Sequence, residues 1–193
     1  MQNVTAAPSF SLPSNELLAG KILRVALGTL VLTASSWISI PLSPIPITMQ
    51  TYAVIVIGSL FGARMGAITV LAWLAEAAIG FPVLAQGAAG LPVFFGPSAG
   101  YLASFPVIAA FAGWFSDRKF DSGPIRSLFT MLAANAINLG LGVMWLAALL
   151  GWHRAVIVGF MPFWIGGIVK AVLATTTVLL IRGGRARRAT DAR

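Results

Sequence analysis

The chain has no cysteine and a single histidine, His153. Disulfides, thiolate metal sites and cysteine nucleophiles are therefore excluded, and no imidazole cluster can hold a metal. Charge is also scarce, at 9% of the 193 residues against about 25% in an ordinary soluble domain. Acidic residues number only 5, and Glu76 alone lies within an apolar run. Paired carboxylates for metal or proton chemistry are thus missing from the apolar segments, and no G-x-x-x-x-G-K-[ST] loop is there to cradle phosphates. So few acid, base and nucleophile groups argue against an enzyme, and the missing phosphate loop argues against ATP hydrolysis by this chain.

What fills the sequence instead is apolar: 58% of residues are hydrophobic and the mean hydropathy is +0.90. This is the composition of an integral membrane protein, and its length leaves room for one membrane domain once spans of about 20 residues are laid out. Six spans are expected. The first runs from about Leu17 to Ile40 and stops at PLSPIPITMQT, where Pro41, Pro44 and Pro46 forbid regular helix. The stretch from about Ile47 to Ala78 is interrupted at FGARMG and reads as a hairpin of two short spans. A glycine- and proline-dense segment, GFPVLAQGAAGLPVFFGPSAGY, should be ordered but non-helical, which at membrane depth is tolerated only inside protein or beside a water-filled cavity. Spans four to six follow at about 98–115, 127–150 and 155–181.

The net charge of +8 does not call for nucleic acid, because the cations fall mainly at span ends. Of the thirteen, Lys21, Arg24, Arg64, Arg118, Lys119, Arg126, Arg182, Arg185, Arg187, Arg188 and Arg193 gather on one side. Only Arg154 lies on the other, and Lys170 lies within a span. The positive-inside rule then sets both termini in the cytoplasm and both proline- and glycine-rich segments on the outer face. Residues 1–15 lack the basic start and apolar core of a secretory signal and read as a cytoplasmic tail, residues 16–181 as the six-helix bundle, and 182–193 as a basic cytoplasmic tail. The expected fold is therefore an all-α, six-helix membrane bundle in the bacterial cell membrane, with a ligand pocket near the outer face.

Lys170 is the leading functional candidate. A charge at the middle of a membrane helix costs about 2.5 to 3.5 kcal/mol, so it faces a partner, a cavity or a ligand. Gly166 and Gly167 just before it allow close approach of a ligand or another backbone. The lysine either receives a ligand carboxylate or forms a structural ion pair with Glu76. Thr48 and Gln50 follow rigid prolines and suit a lid over a pocket, or else cap the next helix. Gln86, Ser98 and Tyr101 either line the same cavity or satisfy loop backbone. Asn135 and Asn138, three residues apart on one helical face, read as interhelical hydrogen-bonding groups. Trp73, Trp145 and Trp164 either pack on an apolar ligand ring or anchor the interface. Thr29, Thr33 and Ser36 give the first span a small-residue face for another helix, internal or a partner's.

The segments PIPITMQT, AAIGFPVL with QGAAGL, and GPSAGYL, in that order, resemble the BioY family of biotin-binding S-components of energy-coupling factor transporters. The family pattern is close to PvPiTlQT, GlPVFaggaaGl and GPTgGYL, and the resemblance extends from about Ile38 to Ala174. It implies six helices and an outer biotin pocket closed by the first loop. It also implies biotin as transported ligand with no cofactor, and a membrane coupling protein and ATP-binding-cassette ATPase subunits as partners, with self-association left open. Carried over by motif, Thr48 and Gln50 belong to the first-loop pattern, Gly96, Pro97, Gly100 and Tyr101 to the third, and Lys170 to a last-helix pattern like PGDxxKa. Here that stretch is IGGIVKA, so Gly167 stands where an aspartate is expected, and Asn138, Gln86 or Gln50 must supply the missing acceptor or affinity falls. Ser98 replaces a threonine, and Leu84 replaces a phenylalanine, which enlarges the pocket slightly. Outside biotin uptake, the residues also admit a transporter of another vitamin or small carboxylate, or a structural membrane subunit.

Overall fold

The computed structural model describes residues 14–191, with side-chain surroundings given for residues 18–184. The expected tail at residues 1–15 lies almost wholly outside the described residues. Seven α-helices carry most of the chain: α1 (Ser14–Trp37), α2 (Gln50–Phe61), α3 (Ala63–Ala78), α4 (Ala99–Asp117), α5 (Pro124–Leu150), a four-residue α6 (Trp152–Ala155) and α7 (Trp164–Asp191). Helix α7 carries on through residues 182–191, most of the expected basic tail.

Among the described residues, four helices are long and apolar enough to cross a bilayer: α1, α4, α5 and α7. The hairpin expected at residues 47–78 is α2 and α3, with 12 and 16 residues. At about 1.5 Å per residue these reach roughly 18 and 24 Å, short of a hydrocarbon core of about 30 Å. Gly62 alone separates them, at φ +83°, a backbone conformation that favours glycine. The break is clamped onto α4. Asp117 Oδ2 accepts the Ala63 N–H at 3.0 Å, and a Cβ on Gly113 would run into the backbone of Gly62 and Ala63.

Helix α2 is apolar on all sides and sits at the centre of the bundle, against α1, α3, α4 and α7, as a helix without a polar face must. Its Val54 and Ile55 are fully buried with Val70 and Trp73 of α3, Ile108 of α4, Met131 of α5 and Val178 of α7. The outward faces remain apolar: Ile22, Leu23 and Leu30 of α1, Phe129 and Met144 of α5, and Leu180 of α7 are all exposed. This inversion of the soluble pattern marks a lipid-facing surface. The small-residue face of α1 meets internal neighbours at two of its three residues: Thr29 and Ser36 are buried, and Ser36 Oγ accepts from Gln50 Nε2 of α2 at 3.1 Å.

The helix ends depart from expectation where backbone chemistry changes. Helix α1 stops at Trp37, not near Ile40, and Ser39–Ile40 (β1) pairs antiparallel with Ile47–Thr48 (β2), Ser39 opposite Thr48. The three prolines fold into the turn of this short ribbon. The last span is not one helix from residue 155, because a π-helical stretch at Val156–Phe160 and a turn at residues 161–163 precede α7. Pro162, with no N–H to donate, lies in that break. The glycine- and proline-dense segment forms two 3-10 turns, Ala85–Gly87 and Leu91–Phe95, held by Trp37 Nε1 to Pro82 O (3.3 Å), Trp73 Nε1 to Val83 O (3.3 Å) and Gly90 N to Ala77 O (2.7 Å).

Helices α4 and α5 interlock through two reciprocal pairs. Trp145 packs against Gly100, and the Tyr101 ring occupies the space a side chain on Gly142 would need. At the far ends of α2, α4 and α7, Arg182 holds Asp121 at 2.9 Å (Oδ1) and 3.1 Å (Oδ2), Ser59 O at 3.0 Å and Ser116 Oγ at 2.6 Å. Asp121 is fully buried there. This end also carries Arg64, Arg118, Lys119 and Arg126.

Candidate functional site

The ribbon after α1, the 3-10 segment and the N-terminal ends of α4 and α7 converge at one end of the bundle around a cavity of about 580 Å³. Its size falls within the range of small-molecule sites. The wall is mostly apolar: Ile45 and Pro46 from the ribbon turn, Leu84 and Val93 from the 3-10 segment, Phe105 from α4, Leu132 and Leu139 from α5, and Phe160 and Phe163 beside α7. Ile45 anchors the turn over the cavity by packing with Tyr101, Val143, Leu146 and Ala155.

Polar groups interrupt this wall at a few places. Thr48, Gln50, Gln86, Ser98, Tyr101, Asn138, Trp164, Gly167 and Lys170 all line it, whereas Trp73 and Trp145, the other two tryptophans considered for packing on a ligand ring, do not; Trp145 Nε1 donates to Gly96 O at 3.0 Å instead. Trp73 is fully buried behind the wall, its ring 6.0 Å from that of Phe105, and it makes no part of the lining. Its size and its bond to Val83 O make it a support for the 3-10 segment.

Many of these groups are already engaged. Thr48 Oγ1 donates to Gln50 Oε1 at 3.0 Å and accepts the Gln50 backbone N–H at 3.3 Å, while Gln50 Nε2 donates to Ser36 Oγ at 3.1 Å. The cap position of α2 is Met49 and not Thr48, because the helix begins at Gln50; Thr48 faces the cavity and its hydroxyl meets the first helical N–H from one residue further out. Asn138 Nδ2 donates to Ser104 Oγ (2.6 Å) and Tyr101 O (3.3 Å), tying α5 to α4 as an interhelical amide should. The Tyr101 hydroxyl donates to Gly159 O at 2.9 Å and so fixes the π-helical stretch that carries Phe160 to the cavity.

Lys170 is different. It is half-buried, and no hydrogen bond or ion pair reaches its Nζ among the described residues. The alternative partner, Glu76, does not pair with it; the ion pair seen among these residues is Arg182 with Asp121. Because α7 begins only at Trp164, Lys170 lies in its second turn, nearer the cavity end than the middle of a 155–181 span would place it. Asn135, read from sequence as an interhelical group, instead bonds back to Met131 O of its own helix (2.9 Å) and lines the cavity beside Gly167. Phe160 and Phe163 were not singled out from sequence. Pro162 between them was the available signal, since a break there turns an apparent helix into a cavity wall.

An apolar helical bundle that encloses a pocket with a lysine lacking a counter-charge among the described residues, and a few fixed amides and hydroxyls, is a multi-pass membrane protein built to bind a small solute. Its relatives agree. A probable biotin transporter BioY of Pyrococcus horikoshii is 32% identical over 165 residues, 86% of this chain and 98% of that one. The biotin transporter BioY of Rhizobium etli is 38% identical over 146 residues, 71% of this chain and 78% of the other. The fold is similar to a 2.1 Å crystal structure of the S-component for biotin from an ECF-type ABC transporter, with TM-score 0.79, 25% identity, and coverage of 90% of this chain and 95% of that one. The BioY family profile matches residues 6–187, and the chain belongs to the BioY family.

Proposed function

We propose that this protein binds biotin in the cavity and is the substrate-binding subunit for its uptake. The observation that carries the reading is Lys170: a cation without a protein counter-charge among the described residues, set in a mostly apolar wall, in a chain of this family. Biotin offers a carboxylate for that cation and an apolar bicyclic ring for Phe105, Leu139 and Phe163. Thr48 and Gln50 at the ribbon, with Gln86 and Ser98, close the mouth. All six principal helices, α1 to α5 and α7, cross the bilayer in this reading, α2 and α3 completed by the ribbon and the 3-10 segment. The cluster of Arg64, Arg118, Lys119, Arg126 and Arg182 faces the cytoplasm under the positive-inside rule, and the cavity opens outward. Energy for uptake comes from partner subunits of the ATP-binding-cassette type, since this chain carries no phosphate loop.

The test is equilibrium binding of labelled biotin to the purified protein in detergent, read together with the melting temperature. Saturable binding with a rise in melting temperature supports the reading, since a ligand at 100 times its Kd adds about 2.7 kcal/mol of stability. A folded protein that does not bind biotin refutes it and directs the search to other small carboxylates, given Gly167 and Leu84 at the wall.

A further inference from the structure

We infer that Asn135 determines specificity by accepting an N–H donor of the bound solute through its side-chain oxygen. The inference rests on the biotin reading and takes it one residue further. The Asn135 amide donates to Met131 O at 2.9 Å, and only its NH2 group can do so, which assigns the other atom as the oxygen. That Oδ1 has no partner among the described residues, yet Asn135 lines the cavity. The oxygens of the buried amides nearby already have donors: Asn138 Oδ1 accepts from the Thr51 hydroxyl at 3.5 Å and Gln50 Oε1 from the Thr48 hydroxyl at 3.0 Å.

Gly167 is what leaves the oxygen open. A Cβ built there would lie 3.7 Å from Asn135 Oδ1 and would meet little else, so a longer side chain at 167 would cover the acceptor from the α7 side. Lys170, one turn further along α7, can donate but has no lone pair to offer while it is an ammonium. The two residues therefore divide the polar recognition, Lys170 serving acceptor atoms of the ligand and Asn135 a donor. A carboxamide oxygen on a mostly apolar cavity wall, with no protein donor on it among the described residues, gains a partner when the ligand carries one, which favours a ligand that brings an N–H. The cyclic urea of biotin brings two.

The experiment measures binding of biotin and of its two cyclic carbamate analogues, in each of which one ureido N–H is replaced by oxygen, to the parent and to Asn135→Leu. In the parent, one carbamate is expected to bind about tenfold more weakly than biotin, the scale of one hydrogen bond lost with its partner left unpaired. Asn135→Leu should weaken biotin by a similar factor and erase the difference between biotin and that carbamate. The parent measurement needs no variant to fold. Equal affinity of the parent for biotin and both carbamates overturns the inference and leaves the biotin reading standing. So does a carbamate penalty that persists unchanged in a folded Asn135→Leu protein. A folded parent that binds no biotin overturns both.

Discussion

Replacing Lys170 by methionine keeps the length and apolar stem of the side chain and removes only the ammonium. The acidic groups among the described side chains leave it no substitute partner inside the protein. Asp121 is taken by Arg182, Asp117 accepts the Ala63 N–H, and Glu76 forms no ion pair. The ligand carboxylate is then the sole counter-charge, and removing one member of a buried ion pair costs about 3 to 5 kcal/mol because the other is left uncompensated. Lys170 is half-buried, so the low end applies: about 3 kcal/mol, a little over 100-fold in Kd. Biotinamide, which lacks the ligand charge, should lose a similar amount on the parent. On Lys170→Met, however, biotinamide should bind no worse than biotin does, because neither charge is then stranded. Isothermal titration of the four combinations gives a coupling of about 3 kcal/mol if the lysine and carboxylate meet. Additive losses, or a folded Lys170→Met protein that binds biotin within about twofold of the parent, would show that the lysine serves another atom of the ligand or none.

Three further outcomes test the scaffold. Gly142→Ala forces a methyl group into the Tyr101 ring and should cost about 1 to 3 kcal/mol as overpacking, measured as a lower melting temperature that Tyr101→Leu partly restores in the double variant. Tyr101→Phe removes the bond to Gly159 O and should cost about 1 kcal/mol; an unchanged melting temperature would mean that the hydroxyl does not fix the π-helical stretch. Arg182→Met leaves the fully buried Asp121 unpaired and should destabilise by about 3 to 5 kcal/mol, with Asp121→Asn recovering much of the loss, while biotin affinity per folded molecule stays near that of the parent.

The features that sequence revealed are those with a local physical cause. Pro41, Pro44 and Pro46, three prolines within six residues, remove too many backbone donors for regular helix to pass through them, so the end of the first span was legible to within a few residues. Gly62 announced the break between α2 and α3, and the density of glycine and proline after Ala78 announced backbone that is not α-helical. Lys170 stood out because a charge in an apolar run carries its own cost. What sequence could not show depends on which helices meet. The burial of Trp73 follows from α3 packing on α4, and its apolar bulk reads the same whether it faces a ligand, lipid or core. Asn135 and Asn138 have the same chemistry and lie on one face of α5, yet Ser104 engages one and Gly167 uncovers the other. The Arg182–Asp121 pair joins residues 61 positions apart, which no periodicity encodes.

The shortness of α2 and α3 has an electrical consequence. With the cavity excavated at one end of the bundle, the insulating part of the protein is thinner than the bilayer around it. Along α7 the twelve residues between Lys170 and Arg182 span about 18 Å, against about 30 Å of surrounding hydrocarbon. A membrane potential of 100 mV is worth about 2.3 kcal/mol per elementary charge over the full thickness, and water reaching the cavity concentrates that drop across the plug of packed side chains beneath it. In the outward-facing orientation proposed above, an anion arriving at Lys170 crosses little of the field, so voltage should weigh lightly on binding and heavily on any later step that moves its charge across that plug.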